Sequence, residues 1–170
     1  MSQIAKKLTI AFAGGLLAFS ALTAAPLTAS AETLTPAAVE ALNRALADEY
    51  HAEAFYAAVI EAYGPVRPFT NIIEAERTHS AEVAALMEAY GIPVPENDQI
   101  GAEDIVSAVP ASLAAACAAG VQAEIDNAAL YDNDLLPSVA SYPDITTVLT
   151  SLRDASQTKH LPAFTRCAQR

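Results

Sequence analysis

Basic residues are scarce in this chain. Across 170 residues, 9 Lys and Arg face 20 Asp and Glu, a formal net charge of −11. That deficit excludes nucleic acid and anionic membrane surfaces as partners, because both attract clusters of Lys and Arg. Cysteine is nearly missing: the two residues, Cys117 and Cys167, lie far from the amino terminus, so no N-terminal lipid anchor through cysteine is expected. The sequence also lacks a flavin motif, a hydrolase triad and any sign of a cage-forming interface. What is abundant is apolar residues, 53% of the chain, with a mean hydropathy of +0.26. Such a content excludes a disordered acidic chain, which would be poor in core formers. The length points to one domain.

The amino-terminal segment accounts for part of this hydropathy. Lys6 and Lys7 precede an uncharged run from Leu8 to Ala31 that ends in Ala29-Ser30-Ala31. A basic start, an apolar stretch and a small-x-small end mark a secretory signal peptide, with cleavage expected after Ala31. A membrane anchor would need about 20 strongly apolar residues, and Gly14, Gly15, Ser20, Thr23 and Pro26 dilute the run. The expected organisation is a signal peptide over 1–31 and one domain over 32–170. No second run of 18 apolar residues follows. The mature protein is therefore expected to be exported, to the periplasm or the medium, with no stable membrane anchor. It keeps all 20 acids against 7 bases, a formal charge of −13. A domain of this size buries about two-thirds of its unfolded surface, so it needs no metal merely to fold.

Prolines divide the domain. They fall at 36, 65, 68, 93, 95, 110, 137, 143 and 162. Between them lie Ala-, Glu- and Leu-rich stretches over 37–64, 69–92, 111–136 and 144–161, none with strand-like alternation. Alanine, leucine and glutamate favour helix, and proline is tolerated in a first turn but not in a helix interior. Thr35-Pro36 reads as an N-cap followed by proline at N1, and Gly64-Pro65 as a stop. Pro162 lies inside the fourth pattern, where a kink is expected. The segments after the first and third helices are short, so they join antiparallel neighbours. The segment from Gly91 to Pro110 is long enough to run the length of a 22-residue helix, about 33 Å. The expected fold is all-α: a four-helix bundle with one long crossover between helices 2 and 3.

Core-facing positions in such a bundle recur every three or four residues. Those stripes carry acids. The first helix reads Leu42, Leu46, Glu49, Glu53, Tyr56; the second Ile72, Glu76, His79, Val83; the third Cys117, Gly120, Glu124, Asn127, Tyr131; the fourth Leu149, Ser156 or Gln157, His160, Phe164. A buried, ionised carboxylate needs a partner or stays neutral. Three meeting in one core repel one another, and divalent cations with histidine nitrogen in the shell relieve this. Glu76 and His79, three residues apart, share a helix face.

On these residues the chain resembles the ferritin-like di-iron carboxylate superfamily. That pattern is Glu on helix 1, Glu-x-x-His on helix 2, a crossover, Glu on helix 3 and Glu-x-x-His on helix 4. The resemblance implies a metal site of Glu49, Glu76, His79, Glu124 and His160, holding one or two ions: iron, with zinc or manganese as alternatives. The segments Asp48-Glu49-Tyr50, Pro68-Phe69-Thr70-Asn71-Ile72, Glu74-Ala75-Glu76 and His160-Leu161 further resemble an exported prokaryotic ferritin-like family described as of unknown function. One position departs from the pattern. Three residues before His160 stands Gln157, a poorer ligand for iron(III) than a carboxylate. Asp154, one turn earlier, would substitute only if the helix rotated; otherwise it is a surface residue or supports a ligand. Glu53 is either a ligand or a hydrogen-bond partner of Arg77 or a buried tyrosine. Tyr56 and Tyr131 each follow a stripe glutamate by seven residues and either hydrogen-bond the ligands or simply pack.

Export favours a disulfide between the two cysteines. Cys117 lies seven residues before Glu124 and Cys167 seven after His160. In antiparallel helices both then sit roughly 10.5 Å from the metal toward the same bundle end. Three functions remain open from the sequence: a ferroxidase-type oxidoreductase consuming O2 or peroxide, a non-catalytic metal-binding or scavenging module, and a metal-free structural domain.

Overall fold

The structure is a computed structural model and describes residues 33–170. The signal peptide expected over 1–31 lies outside the described residues. These are helical, with no strand among them: α1 (Pro36–Tyr63), α2 (Phe69–Ala89), α3 (Glu103–Ser107), α4 (Leu113–Leu130), α5 (Leu136–Ser138), α6 (Pro143–Ala155) and α7 (Leu161–Ala168). Thr35 caps α1 by accepting a hydrogen bond from the Ala38 N–H, with Pro36 in the first turn. Gly64, at φ 78°, ends the helix with a backbone conformation that costs a glycine little. Ser112, two residues beyond Pro110, caps α4 in the same way as Thr35 caps α1.

Two π turns join these pieces into longer rods. The first, Tyr131–Leu135, connects α4 to α5; the second, Ser156–His160, connects α6 to α7. The Leu136 N–H donates to the Tyr131 carbonyl and the Leu161 N–H to the Ser156 carbonyl, each five residues back. A proline follows each turn, Pro137 and Pro162, and supplies no N–H of its own. Where the sequence predicts a kink at Pro162, the chain takes up the missing donor in a wider turn and stays helical to Ala168. The fourth rod thus continues past Pro162, as the pattern predicts.

The rods α1, α2, α4–α5 and α6–α7 pack as two antiparallel pairs, α1 with α2 and α4 with α7. The segment between α2 and α4 contains α3, a helix that the proline pattern does not predict. It runs along α1: the Tyr50 hydroxyl donates to the Pro95 carbonyl at 3.1 Å, Gln99 donates to the Ala47 carbonyl, and the Tyr63 hydroxyl donates to Pro110. The start of α4 is thereby set beside the end of α1. Apolar side chains form two clusters. One gathers Leu42, Leu46, Met87, Leu135, Ile145 and Leu149; the other gathers Tyr56, Val59, Phe69, Ile72, Cys117 and Phe164. Each fully buried Leu, Ile or Phe contributes about 1.5–3 kcal/mol. These clusters stabilise the rods on either side of a polar layer.

Candidate metal centre

The polar layer consists of Glu49, Glu76, Glu124, Ser156 and His160, each at most 4% exposed, with His79 at its edge. Glu49 comes from α1, Glu76 and His79 from α2, Glu124 from α4, and Ser156 and His160 from the second π turn. Their donor atoms converge in two sets, Glu49–Glu76–His79 and Glu76–Glu124–His160. Glu76 belongs to both. Its Oε2 lies 3.1 Å from His79 Nδ1 and its Oε1 3.2 Å from His160 Nδ1. Glu49 Oε2 is 3.3 Å from His79 Nδ1, and Glu124 Oε2 is 3.6 Å from His160 Nδ1. Two ligands about 2.1 Å from one ion sit roughly 3.0–3.4 Å apart, so these spacings suit donors sharing a cation. The two imidazole rings stack with centroids 5.7 Å apart.

Residues outside the sets donate hydrogen bonds to their carboxylates. The Tyr131 hydroxyl donates to Glu49 Oε1 at 2.7 Å, and the Tyr56 hydroxyl donates to Glu124 Oε1 at 2.8 Å. Tyr131 is rooted in the first apolar cluster and Tyr56 in the second, so the layer is gripped from both sides. Ser156 Oγ donates to Glu124 Oε2 at 2.6 Å.

Electrostatics reflect the crowding. Burial opposes charge on both histidines, but the adjoining carboxylates outweigh it. His79 is raised to about 10 by Glu49 and Glu76, and His160 to about 9 by Glu124 and Glu76. Glu49 and Glu76 divide in opposite directions. Burial and the charge of Glu76 push the Glu49 carboxyl up, while the two imidazoles overcome burial and hold Glu76 low. Both tyrosines are pushed well above the usual phenol range by burial and by the carboxylates they serve, so each keeps its proton and donates.

Of the predicted site residues, Glu49, Glu76, His79, Glu124 and His160 come together, with Tyr56 and Tyr131 as donors to them. Three others do not join the sets. Gln157 is half-buried and its amide donates to the Glu124 backbone carbonyl at 3.4 Å. The π turn shifts the register, and Ser156 takes the buried position instead. Asp154 is exposed and pairs with Arg153. Glu53 accepts from Arg77 at 2.8 Å and from Asn97 at 3.2 Å, tying α1 to α2 and to the crossover. Two residues not predicted at the site border it. Asp48 accepts a 2.6 Å hydrogen bond from Asn127, joining α1 to α4, and burial raises its carboxyl. Asn127 lies on the predicted stripe, whereas Asp48, directly before Glu49, lies off it. A cavity of about 680 Å³ opens between α1 and α4 and reaches Glu49, Glu76, Glu124 and Ser156. A disulfide joins Cys117 of α4 to Cys167 of α7, with Cα atoms 5.6 Å apart, a pairing that favours an oxidising compartment.

No family model and no curated protein matches the chain. Among solved structures it is similar to the crystal structure of a hypothetical protein from Methanococcus jannaschii DSM 2661. The two are 25% identical with a TM-score of 0.66, over 77% of this chain and 79% of that one. No helix of the described residues is long and apolar enough to cross a membrane.

Proposed function

We propose that this protein is an exported ferritin-like four-helix bundle that holds a pair of divalent ions, iron(II) first among them, in its polar layer. One observation carries the reading: Glu76 turns one carboxylate oxygen to each of two Glu/His sets. A lone buried acid needs only one partner. A carboxylate shared between two sets, each completed by a further Glu and a His, is the arrangement that suits two adjacent cations. The donor chemistry fits iron, zinc or manganese, since carboxylate oxygen and imidazole nitrogen serve all three. The leader expected from the sequence and the disulfide support an oxidising, exported setting.

Iron(II) held by Glu49, Glu76, His79, Glu124 and His160 would supply electrons to O2 or peroxide, and a ferroxidase-type reaction is the leading activity. The chain's part is to hold Glu49 and Glu124 in place through Tyr131, Tyr56 and Ser156, and to set carboxylate charge beside the rising charge of the oxidised pair. A second reading, binding or scavenging without turnover, draws on Ser156. A hydroxyl there leaves three carboxylates in the layer, less negative charge with which to stabilise an oxidised pair.

Elemental analysis of protein purified from its native compartment tests the metal reading, with two ions per chain expected. Protein carrying no stoichiometric metal would support the metal-free structural domain instead. Glu76→Gln is expected to weaken both positions and Glu49→Gln only one. An iron-loaded protein whose absorbance ignores O2 and peroxide would sink the ferroxidase reading and leave the binding one.

A further inference from the structure

The domain over 32–170 holds 7 Lys and Arg against 20 acids. With acids in such excess, every base has ample choice of partner. Three bases take one: Arg44 pairs with Asp134, Arg77 with Glu53 and Glu74, and Arg153 with Asp132 and Asp154. The other four are Arg67, Lys159, Arg166 and Arg170. None of these forms an ion pair among the described residues, and all four line one pocket on the far side of the molecule's chemistry, where no Asp or Glu is found. The exposed acid closest along α2, Glu74, is held by Arg77 at 2.6 Å.

Helical spacing builds one wall. Lys159, Ala163, Arg166 and Arg170 recur in steps of four, three and four, which keeps them on one face of the last rod. Ala163, between two of the bases, leaves room in front of them. Arg67 and Asn71 line the pocket from the start of α2, and the Asn71 side-chain amide makes no hydrogen bond among the described residues. The space is about 430 Å³, within the range of small-molecule sites, about 300–1,000 Å³. A concave surface lined by charge of one sign focuses its field and gathers counter-ions. The fields of exposed charges fade over about 8 Å at physiological salt. An anion in the pocket therefore meets the bases around it more than the net negative charge of the rest of the chain. Three of the four are arginines, whose planar forks suit the paired oxygens of carboxylate and phosphate. They stand on two walls, so a guest with several anionic oxygens engages more of them than a single carboxylate does.

We propose that this pocket binds a small organic oxyanion carrying two or more negative charges, a polycarboxylate or a sugar phosphate, between Arg67 and the face formed by Lys159, Arg166 and Arg170. The proposal does not depend on ions in the polar layer.

Calorimetric titration of the mature protein with tricarballylate and with glucose 6-phosphate provides the test, with acetate and glucose as controls. One anion per chain is expected, with acetate weaker by about tenfold or more and affinity falling as NaCl is added. The tighter of tricarballylate and glucose 6-phosphate tells a polycarboxylate from a phosphate as the source of the charge. Arg67→Gln and Arg166→Gln are each expected to weaken binding about fivefold, and the double variant further. Arg44→Gln, which removes a base already paired, is expected to leave it unchanged. All three positions are exposed, and circular dichroism checks that the helices persist. No uptake of either anion, acetate binding as tightly as tricarballylate, or glucose as tightly as its phosphate overturns the proposal. Equal weakening by Arg44→Gln overturns it, as does uptake that ignores Arg67→Gln and Arg166→Gln, which removal of metal from the polar layer would produce. Salt-sensitive self-association in place of anion uptake, seen by sedimentation, overturns it too and gives the pocket to the acids of a second copy.

Discussion

Replacing Gly120 by alanine should destabilise the protein, against the usual direction. At an unobstructed helical position alanine is favoured over glycine by about 1 kcal/mol. Here an added Cβ would lie 2.6 Å from Phe164 Cδ1 and 2.8 Å from Cγ and Cε1. Carbon atoms pack best at about 3.5–4.0 Å, so the overlap is about 1 Å against the flank of the ring. The ring has nowhere to go. Phe164 is fully buried, and its centroid lies 5.2 Å from that of Tyr56 and 5.1 Å from that of Phe69. The helices also resist parting, because the Cys117–Cys167 disulfide joins them one turn away. Overpacking of this kind costs about 1–3 kcal/mol, which leaves a net loss of about 1 kcal/mol and a fall in Tm of about 4 °C. Thermal and urea unfolding followed by circular dichroism would measure it. In a Phe164→Leu background the same substitution should become neutral or stabilising. A rise in Tm for Gly120→Ala alone, by the amount helix preference gives, would refute the reasoning.

Other expectations follow from the same contacts. Reducing the disulfide, which closes a 50-residue separation, should cost about 4 kcal/mol by loop entropy; equal urea midpoints with and without reductant would contradict this. Tyr131→Phe removes the donor to Glu49 and should cost about 1–3 kcal/mol in the metal-free protein. It should weaken the Glu49 position for metal more than the Glu124 position, with Tyr56→Phe doing the reverse, as read by competitive metal titration of single-site variants. His79 and His160 rise from 6.5 to about 10 and about 9. Their contribution to metal-free stability is complete below pH 6.5 and is lost as pH climbs through those values. Metal needs the neutral rings, so binding should tighten with pH up to about 9–10 and release protons at pH 7. Calorimetry in buffers of differing ionisation enthalpy would count them, and no release at pH 7 would contradict the pairing.

The five ligand candidates were legible because α-helical periodicity is robust over the relevant windows. Glu49, Glu76 with His79, and Glu124 sit on regular helix, where steps of three and four keep a face. The choice between Ser156 and Gln157, both open on the fourth stripe, was not legible, because the π turn adds a residue and breaks that arithmetic within one window. A trace of it is present in the sequence: Pro137 and Pro162 each interrupt an otherwise helical pattern, and each follows such a turn. Proline spacing located the rod ends near Pro36, Gly64 and Phe69 because caps and stops are local chemistry. It missed α3, which depends on packing along α1. Glu53 could not be assigned from its stripe position alone, since Asn97, which holds one of its oxygens, arrives from 44 residues away.

The two ligand sets differ in how much of the chain they require. Glu49, Glu76 and His79 all belong to the α1–α2 hairpin, so that set can assemble as soon as one helical hairpin has formed. Glu124 and His160 belong to the other pair and have no third ligand until Glu76 reaches them. On the proposed two-ion reading, the first ion would seat on half a molecule and the second only on a whole one. Occupancy of the second position would then work as a clasp, reporting that the two hairpins have closed on each other.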